Sequence, residues 1–378
     1  MMRVILSGGG TGGHIYPAVA VAEELKAQFG DGVDILFVGA EGRMEMEKVP
    51  ALGYNIVGLP IAGLQRKLDW RNLLLPFKVL RSICRAKRVI KEFKADIVVG
   101  FGGYASAPVL WAAGRLGVPT VIQEQNSYAG VTNKIVSRYA RKICVAYDGM
   151  DRFFKSTDKE GNERIVMTGN PLRGGFSAEI NNMRGEALQY FGLNESKPVV
   201  LITGGSLGTR TLNTMMQRWI EKVESMGGNA EVQVIWQSGK FYDEEMKAFL
   251  GAHPTQGVWQ GAFLERMDMA YAAADVVVGR SGACTVSELC LVGKPTIFVP
   301  SPNVAEDHQT KNAMALVDKG AALMVCDNEA PAKAMALAQE TLKDSATMES
   351  LKKNIAKLAQ PTAAKLIVEQ IVKIVDKK

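Results

Sequence analysis

No stretch of this sequence approaches the roughly 18 uninterrupted apolar residues that a bilayer-spanning helix needs. The chain opens Met-Met-Arg and passes at once into a short apolar run and glycines, so neither a spanning segment nor an export signal is expected. Cysteine is sparse. Cys84, Cys144, Cys284, Cys290 and Cys326 are scattered, odd in number and never spaced C-x-x-C, which argues against a disulfide framework or a thiolate metal site and suits a reducing cytosol. Histidine is scarcer still, three in the whole chain, so few side chains can exchange a proton near neutrality. The charge excess of +6 is too small to imply a nucleic-acid partner, and none is expected.

What remains is an ordinary globular composition, 47% hydrophobic and 22% charged. At 378 residues the chain exceeds the size at which a single core usually keeps growing, so two domains are expected. Arg3–Ser7 reads as a strand, Gly8–Gly13 as a glycine loop and Ile15–Phe29 as a helix. Further strands are readable at Val33–Val38, Asp96–Gly100, Thr120–Gln123 and Lys142–Ala146. The pattern restarts at Pro198–Thr203, which runs into Gly204–Gly208 and a helix through Val223, with strands again at Val232–Trp236, Asp275–Val278 and Thr296–Val299. Strands alternating with helices imply two Rossmann-like, doubly wound α/β domains. Gly169-Asn-Pro-Leu-Arg173 interrupts every periodic pattern, which places a hinge near residue 172 and domains at 1–172 and 173–360. The tail, 361–378, holds an amphipathic helix with apolar Leu366, Ile367, Ile371 and Ile374, expected to pack back onto the first domain.

A strand that ends in glycines and opens a helix leaves unpaired N–H groups and the positive end of a helix dipole facing one spot, which suits anions. Gly8-x-Gly10-x-x-Gly13 formally matches a dinucleotide fingerprint. The acid such a site wants would be Glu41, which lies late and among glycines. His14, directly after the loop, is a helix-start residue on the bland reading and a base or transition-state stabiliser on the functional one. Gly100-Phe-Gly-Gly-Tyr-Ala-Ser-Ala-Pro108 is a second such loop, unless its glycines serve only close strand–helix packing. In the second half, Asp275–Glu288 has the form strand, turn, helix. The amides of Ala283–Thr285 would face a phosphate. Glu288, one turn in, could accept hydrogen bonds from both ribose hydroxyls or simply complement the dipole.

With these pieces placed, the sequence resembles the MurG family, membrane-associated transferases that add N-acetylglucosamine to the lipid-linked muramyl-pentapeptide precursor of peptidoglycan. The motifs run in order over almost the whole chain: Gly9-Gly-Thr-Gly-Gly-His14, Gly100–Pro108, Gln123-Glu-Gln-Asn126, Gly169–Arg173, Gly204-Gly-Ser-Leu-Gly208, Arg280–Glu288 and His308-Gln309. The resemblance implies a GT-B type glycosyltransferase whose two doubly wound domains face a central cleft. It implies that Ser206, Leu264, Ala283, Cys284, Thr285, Val286, Ser287 and Glu288 hold UDP, the main chain at Leu264 reading uracil. Gln309 and Asn126 would lie near the amino sugar, and Thr11, Gly12, Gly13 and Arg173 would complete the donor pocket. Gly10, Gly102, Gly103 and Tyr104 would receive the acceptor's diphosphate. Leu207 stands where many relatives carry glutamine, and His308 replaces a glutamine before Gln309, so roles carried over at these two positions are the least secure.

The reaction so implied is an inverting displacement. The acceptor's 4-hydroxyl attacks the anomeric carbon as UDP leaves, with His14 as base and helix N-termini stabilising the growing charge on the diphosphate. No paired carboxylates of the D-x-D kind lie beside the loops, and Glu306 and Asp307, adjacent in a loop, should diverge. No metal site is therefore expected and no cofactor is required, a helper divalent cation being left open. The expected partners are UDP-N-acetylglucosamine, the polyprenyl-linked muramyl-pentapeptide and an anionic membrane surface. In Leu64–Arg88, Leu73, Leu74, Leu75, Phe77, Val79 and Leu80 lie among Arg66, Lys67, Arg71, Lys78, Arg81, Arg85, Lys87 and Arg88, and Pro76 should interrupt the helix. This pattern suits interfacial binding, although a helix with its apolar side in the core is the commoner origin of it. The expected place is peripheral, at the cytoplasmic face of the inner membrane. The alternatives are a UDP-sugar transferase acting on a lipid such as diacylglycerol, and a non-catalytic UDP-sugar-binding protein.

Overall fold

A computed structural model describes residues 1–61 and 75–376, and for Leu75 and Ala305 the backbone only. The chain divides into two compact units, Met1–Gly174 with Thr362–Lys378, and Gly175–Pro361. The sequence places the hinge near residue 172; the division of contacts falls between Gly174 and Gly175.

The first unit is built on seven parallel strands: β1 (Met2–Ser7), β2 (Val33–Ala40), β3 (Asn55–Leu59), β4 (Ile97–Gly100), β5 (Thr120–Glu124), β6 (Ala140–Val145) and β7 (Ile165–Met167). Their order is β3-β2-β1-β4-β5-β6-β7. Helices α1 (Gly12–Phe29), α2 (Glu45–Ala51), α3 (Leu75–Phe93), α4 (Ser106–Leu116) and α5 (Val131–Val136) accompany them. Because β1 pairs with both β2 and β4, the winding reverses there. The loops after β1 and β4 flank the switch point, where doubly wound sheets bind ligands.

The second unit repeats this plan with β8 (Val199–Thr203), β9 (Gln233–Gln237), β10 (Val258–Gly261), β11 (Val276–Gly279), β12 (Thr296–Phe298) and β13 (Leu323–Met324), in the order β10-β9-β8-β11-β12-β13. Its helices are α6 (Arg184–Tyr190), α7 (Arg210–Ser225), α8 (Asp243–Ala252), α9 (Met267–Ala273), α10 (Ala283–Val292), α11 (His308–Val317), α12 (Ala330–Lys343) and α13 (Ser345–Ala356). Here β8 pairs with β9 and β11, so the loops after β8 and β11 flank the second switch point.

Helices on both faces explain why β4 (Ile-Val-Val-Gly), β8 (Val-Val-Leu-Ile-Thr) and β11 (Val-Val-Val-Gly) are buried at every residue and read as continuous apolar runs. The strands missing from the sequence reading are β3, β7, β10 and β13. All four close a sheet edge, β3 and β7 in the first unit and β10 and β13 in the second. They are short and only partly buried, so none carries such a run.

The last helix, α14 (Ala363–Val375), belongs to the first unit. Its Ile367, Val368 and Ile371 are fully buried in one cluster with Val4, Leu6, Ile15, Val19 and Cys144. At about 1.5–3 kcal/mol for each large apolar side chain removed from water, this face anchors the chain terminus.

Candidate functional site

In the first unit, the turn after β1 and the turn after β4 touch. Gly103 has φ +75°, and a Cβ there would lie 2.3 Å from the main-chain oxygen of Gly9. Only glycine permits both the conformation and the approach. A Cβ on Gly102 or Gly103 would meet the His14 ring at 3.1 or 3.3 Å, and one on Gly10 would meet the Tyr104 ring at 3.1 Å. The structure therefore gathers Gly10, Gly102, Gly103, Tyr104 and His14 around one switch point. Thr11 is the N-cap of α1 in extended conformation and makes no side-chain cap, so Gly12 and Gly13 open the helix with their amides directed at its mouth.

The Gly10 amide is already engaged. It donates to Glu45 Oε2 at 3.1 Å, while Ala40 N donates to Glu45 Oε1 at 3.0 Å, and this carboxylate is 1% exposed. The guanidinium of Arg43 lies 5.9 Å from the Tyr104 ring centroid. Burial raises the Tyr104 hydroxyl's pKa, and Arg43 opposes that shift. Sequence reasoning missed Glu45, which belongs to a helix 35 residues away from the loop it braces. Glu41 directly follows β2 but pairs with Arg85 of α3 at 2.5 Å, and so is turned to a helix surface rather than to the glycine turn.

Behind His14 lies a buried polar network made by Gln123-Glu-Gln-Asn126. His14 Nδ1 is 3.2 Å from Gln125 Oε1. Gln123, Glu124, Gln125, Asn133 and Asn170 are all at most 3% exposed. Asn126 is folded onto Glu124, whose Oε1 accepts from its main-chain and side-chain nitrogens at 3.1 and 3.3 Å. Arg173 is placed elsewhere: its Nε lies 3.6 Å from Glu23 Oε1, well along α1 from the glycine turn.

In the second unit the turn after β8 is held by backbone contact. Gly208 has φ +80°, and a Cβ there would sit 2.1 Å from the Ser238 main-chain oxygen. Ser206 is exposed on this turn, its carbonyl accepting from Lys240 N at 3.1 Å. The turn after β11 leads through Gly282, in extended conformation and without a side-chain cap, into α10. Ala283, Cys284 and Thr285 thus form the first turn of a ten-residue helix, at the positive end of its dipole, with Val286 buried and Ser287 partly exposed. The head of α11 is tied to this turn: Ser281 Oγ donates to Gln309 O at 2.8 Å, and Gln309 Oε1 accepts from Ser301 N at 2.9 Å. Leu264 follows β10 and is 3% exposed.

Glu288 Oε2 accepts from the Tyr271 hydroxyl at 2.9 Å. Burial pushes the Glu288 carboxyl up to about 7, and the tyrosine's hydrogen bond opposes the shift. Tyr271 is fully buried, packed edge-on against Phe176. Burial likewise drives the Cys284 thiol up to about 12, so it is no nucleophile at neutral pH. Glu306 and Asp307 do diverge, both in the left-handed region (φ 55° and 51°): Asp307 Oδ1 accepts from Thr310, while Glu306 O accepts from Lys311. Among the described residues no cluster of three or more His, Cys, Asp or Glu side chains could hold a metal.

Of the apolar-basic segment, Leu64, Arg66, Lys67, Arg71, Leu73 and Leu74 lie outside the described residues. Pro76 lies in the first described turn of α3, which runs on to Phe93; whether it interrupts a longer helix falls outside the described residues. The helix has two faces. Ser82, Ala86, Val89 and Ile90 are buried, whereas Phe77 and Leu80 are 69% and 61% exposed, on the same side as exposed Arg81, Arg85 and Arg88 and beside partly exposed Lys78. Among the described residues no helix is long and apolar enough to cross a membrane.

Two switch points of this kind define a two-domain, doubly wound α/β protein, and family models specify the class as a glycosyltransferase. The glycosyltransferase family 28 N-terminal domain matches residues 4–145 and the family 28 C-terminal domain matches residues 199–371. The chain is 50% identical over 376 residues to the UDP-N-acetylglucosamine–N-acetylmuramyl-(pentapeptide) pyrophosphoryl-undecaprenol N-acetylglucosamine transferase of Parabacteroides distasonis, covering 100% of this chain and 99% of that one. The crystal structure of Acinetobacter baumannii MurG superposes with a TM-score of 0.74 at 30% identity, covering 99% and 100% of the two chains. A UDP-GlcNAc 2-epimerase from Neisseria meningitidis shares the fold alone, with a TM-score of 0.67 at 14% identity over 98% and 100%. The chain belongs to the MurG family within glycosyltransferase family 28.

Proposed function

We infer that this chain transfers N-acetylglucosamine from UDP-N-acetylglucosamine to the 4-hydroxyl of the muramyl residue of undecaprenyl-pyrophosphoryl-N-acetylmuramyl-pentapeptide, with inversion, in peptidoglycan synthesis. The observation that carries this is end-to-end identity of about one half with a transferase of that name, with every loop motif present. On this reading the departing diphosphate sits at the N-terminus of α10. Its growing charge meets amides and dipole already in place, so the transition state gains more than the ground state. Glu288 accepts from the ribose hydroxyls, main-chain groups at Leu264 read the base, and Ser206 and Gln309 line the remainder. Thr11–Gly13, Asn126 and Arg173 are proposed donor contacts on the strength of the resemblance. Gly10, Gly102, Gly103 and Tyr104 are proposed for the acceptor's diphosphate. His14 takes the proton of the attacking hydroxyl, and no cofactor is required, a helper divalent cation being left open.

For access to a lipid-linked acceptor we propose that the outer face of α3, with Phe77, Lys78, Leu80 and Arg81, together with Leu74 and Leu75, enters the surface of an anionic leaflet at the cytoplasmic side of the inner membrane. Each basic residue near such a surface contributes about 1 kcal/mol. Phe77→Ser with Leu80→Ser should abolish flotation with anionic liposomes; unchanged flotation would dismiss this face.

Incubating the purified chain with UDP-N-acetylglucosamine and a short-chain lipid-linked muramyl-pentapeptide should yield the disaccharide lipid and UDP in equal amounts. Donor binding without product would instead indicate a sugar-nucleotide-binding protein, and glycosylated diacylglycerol would indicate the other transferase. His14→Ala should lower turnover by ~10²-fold or more; a folded variant with normal turnover would remove His14 from the mechanism.

A further inference from the structure

The side-chain amides behind His14 run in one direction, and main-chain carbonyls fix that direction at both ends. Asn170 Nδ2 donates to the main-chain oxygen of Gln125 at 3.0 Å. A carbonyl can only accept, so this end of the Asn170 amide is its nitrogen and Oδ1 is the other. That oxygen accepts from Gln123 Nε2 at 2.9 Å, which assigns Gln123 Oε1 as the acceptor for Gln125 Nε2 at 2.5 Å. Gln125 Nε2 also donates to the main-chain oxygen of Phe101 at 2.9 Å, an independent constraint on the same amide. Turning Gln125 over would set its oxygen against two acceptors inside the protein, where an unmet pairing is heavily penalised. Gln125 Oε1 therefore faces the imidazole, and it carries no proton.

We propose that Asn170, Gln123 and Gln125 form an oriented amide chain that holds His14 in the Nδ1–H tautomer, making Nε2 the ring nitrogen that accepts a proton. The reasoning is that of any histidine whose tautomer is set by the partner of its other nitrogen, with neutral amides in place of the more familiar carboxylate. Gln125 is the positioning residue. Asn170, from the Gly-Asn-Pro-Leu-Arg segment that the sequence marks as a linker, is the distal anchor. The catalytic consequence rests on the reading of His14 as the base; the tautomer itself does not.

The test is to label the full chain with ¹⁵N-histidine and record long-range ¹H–¹⁵N correlations above the pH at which the ring is charged. With three histidines in the chain, the His14 signals are identified by their loss in His14→Ala. The expected pattern is a protonated Nδ1 and an unprotonated Nε2 in the wild type. In Gln125→Met, which keeps the volume but offers no acceptor, the proton should move to Nε2. Turnover should then fall ~10²-fold, with KM for UDP-N-acetylglucosamine changing less than ~3-fold. A wild-type His14 protonated on Nε2 overturns the proposal without needing any variant, and so does a Gln125→Met variant that keeps the proton on Nδ1. If the tautomer is as expected but His14→Ala turns over normally, the assignment of the base fails and the amide chain stands.

Discussion

Glu288 gives donor binding a pH dependence whose sign and size follow from its surroundings. A carboxyl must be ionised to accept from both hydroxyls of a ribose, yet burial pushes this one up to about 7 in the unliganded protein. Affinity for UDP-N-acetylglucosamine, whose diphosphate has no titration of its own near neutrality, should fall as pH drops through that value. Between about pH 8 and about pH 6 the ionised fraction changes from about nine-tenths to about one-tenth, so the dissociation constant should rise ~10-fold. Stability moves the other way. The folded-state pKa lies above the ordinary 4.5, so the folded protein holds this proton more firmly than the unfolded chain, and stability falls as pH rises from 4.5 to about 7. A shift of this span would be worth ~3 kcal/mol if fully expressed, and water's access to a partly exposed side chain reduces it to ~1–2 kcal/mol. Glu288→Gln should therefore bind donor weakly at every pH with a flat profile, and should unfold at a higher temperature than the wild type above about pH 8. Calorimetric titration with the donor between about pH 6 and about pH 8, and thermal unfolding from about pH 4 to about pH 8, measure both effects. If Glu288→Gln keeps the wild-type slope, the titrating group is another one and the reasoning is refuted.

Tyr271→Phe removes the hydroxyl that lowers the Glu288 pKa, so the midpoint of the same binding profile should move to higher pH; an unmoved midpoint would show that the bond does not act on the carboxylate. Gly103→Ala sets a Cβ 2.3 Å from Gly9 O at φ +75° and should destabilise the first unit by at least ~2 kcal/mol in a denaturant titration. Glu45→Gln leaves an amide NH₂ facing one of two main-chain donors, Gly10 N or Ala40 N, and should lower stability by ~1–3 kcal/mol. A Glu45→Gln variant as stable as the wild type would mean that water or a shifted loop meets the abandoned donor.

What was legible in the sequence was local in the chain. A buried parallel strand announces itself as an apolar run, and a turn of the Gly-Gly-Thr-Gly-Gly kind is specified by its own contiguous residues. That is how Gly8–Gly13 could be set at the junction of β1 and α1, and Glu288 one turn into α10, from sequence alone. The edge strands β3 and β13 gave no such signal, being half-exposed and short. The partners of the site residues were hidden for a different reason. Gln125 reaches His14 across 111 residues, Glu45 reaches Gly10 across 35, and Tyr271 reaches Glu288 across 17 from a separate helix. Periodicity has no means of encoding these pairings, because they are set by strand order. β4 and β5 lie next to one another beyond β1, so the residues following β5 emerge close to the helix that follows β1. The motif Gln123–Asn126 could be found in the sequence, but which of its four side chains would face the histidine could not. That choice depends on a winding reversal between β1 and β4, which places the end of β5 behind the glycine turn, and on main-chain carbonyls of Phe101 and Gln125 that orient the amides only once the sheet has formed.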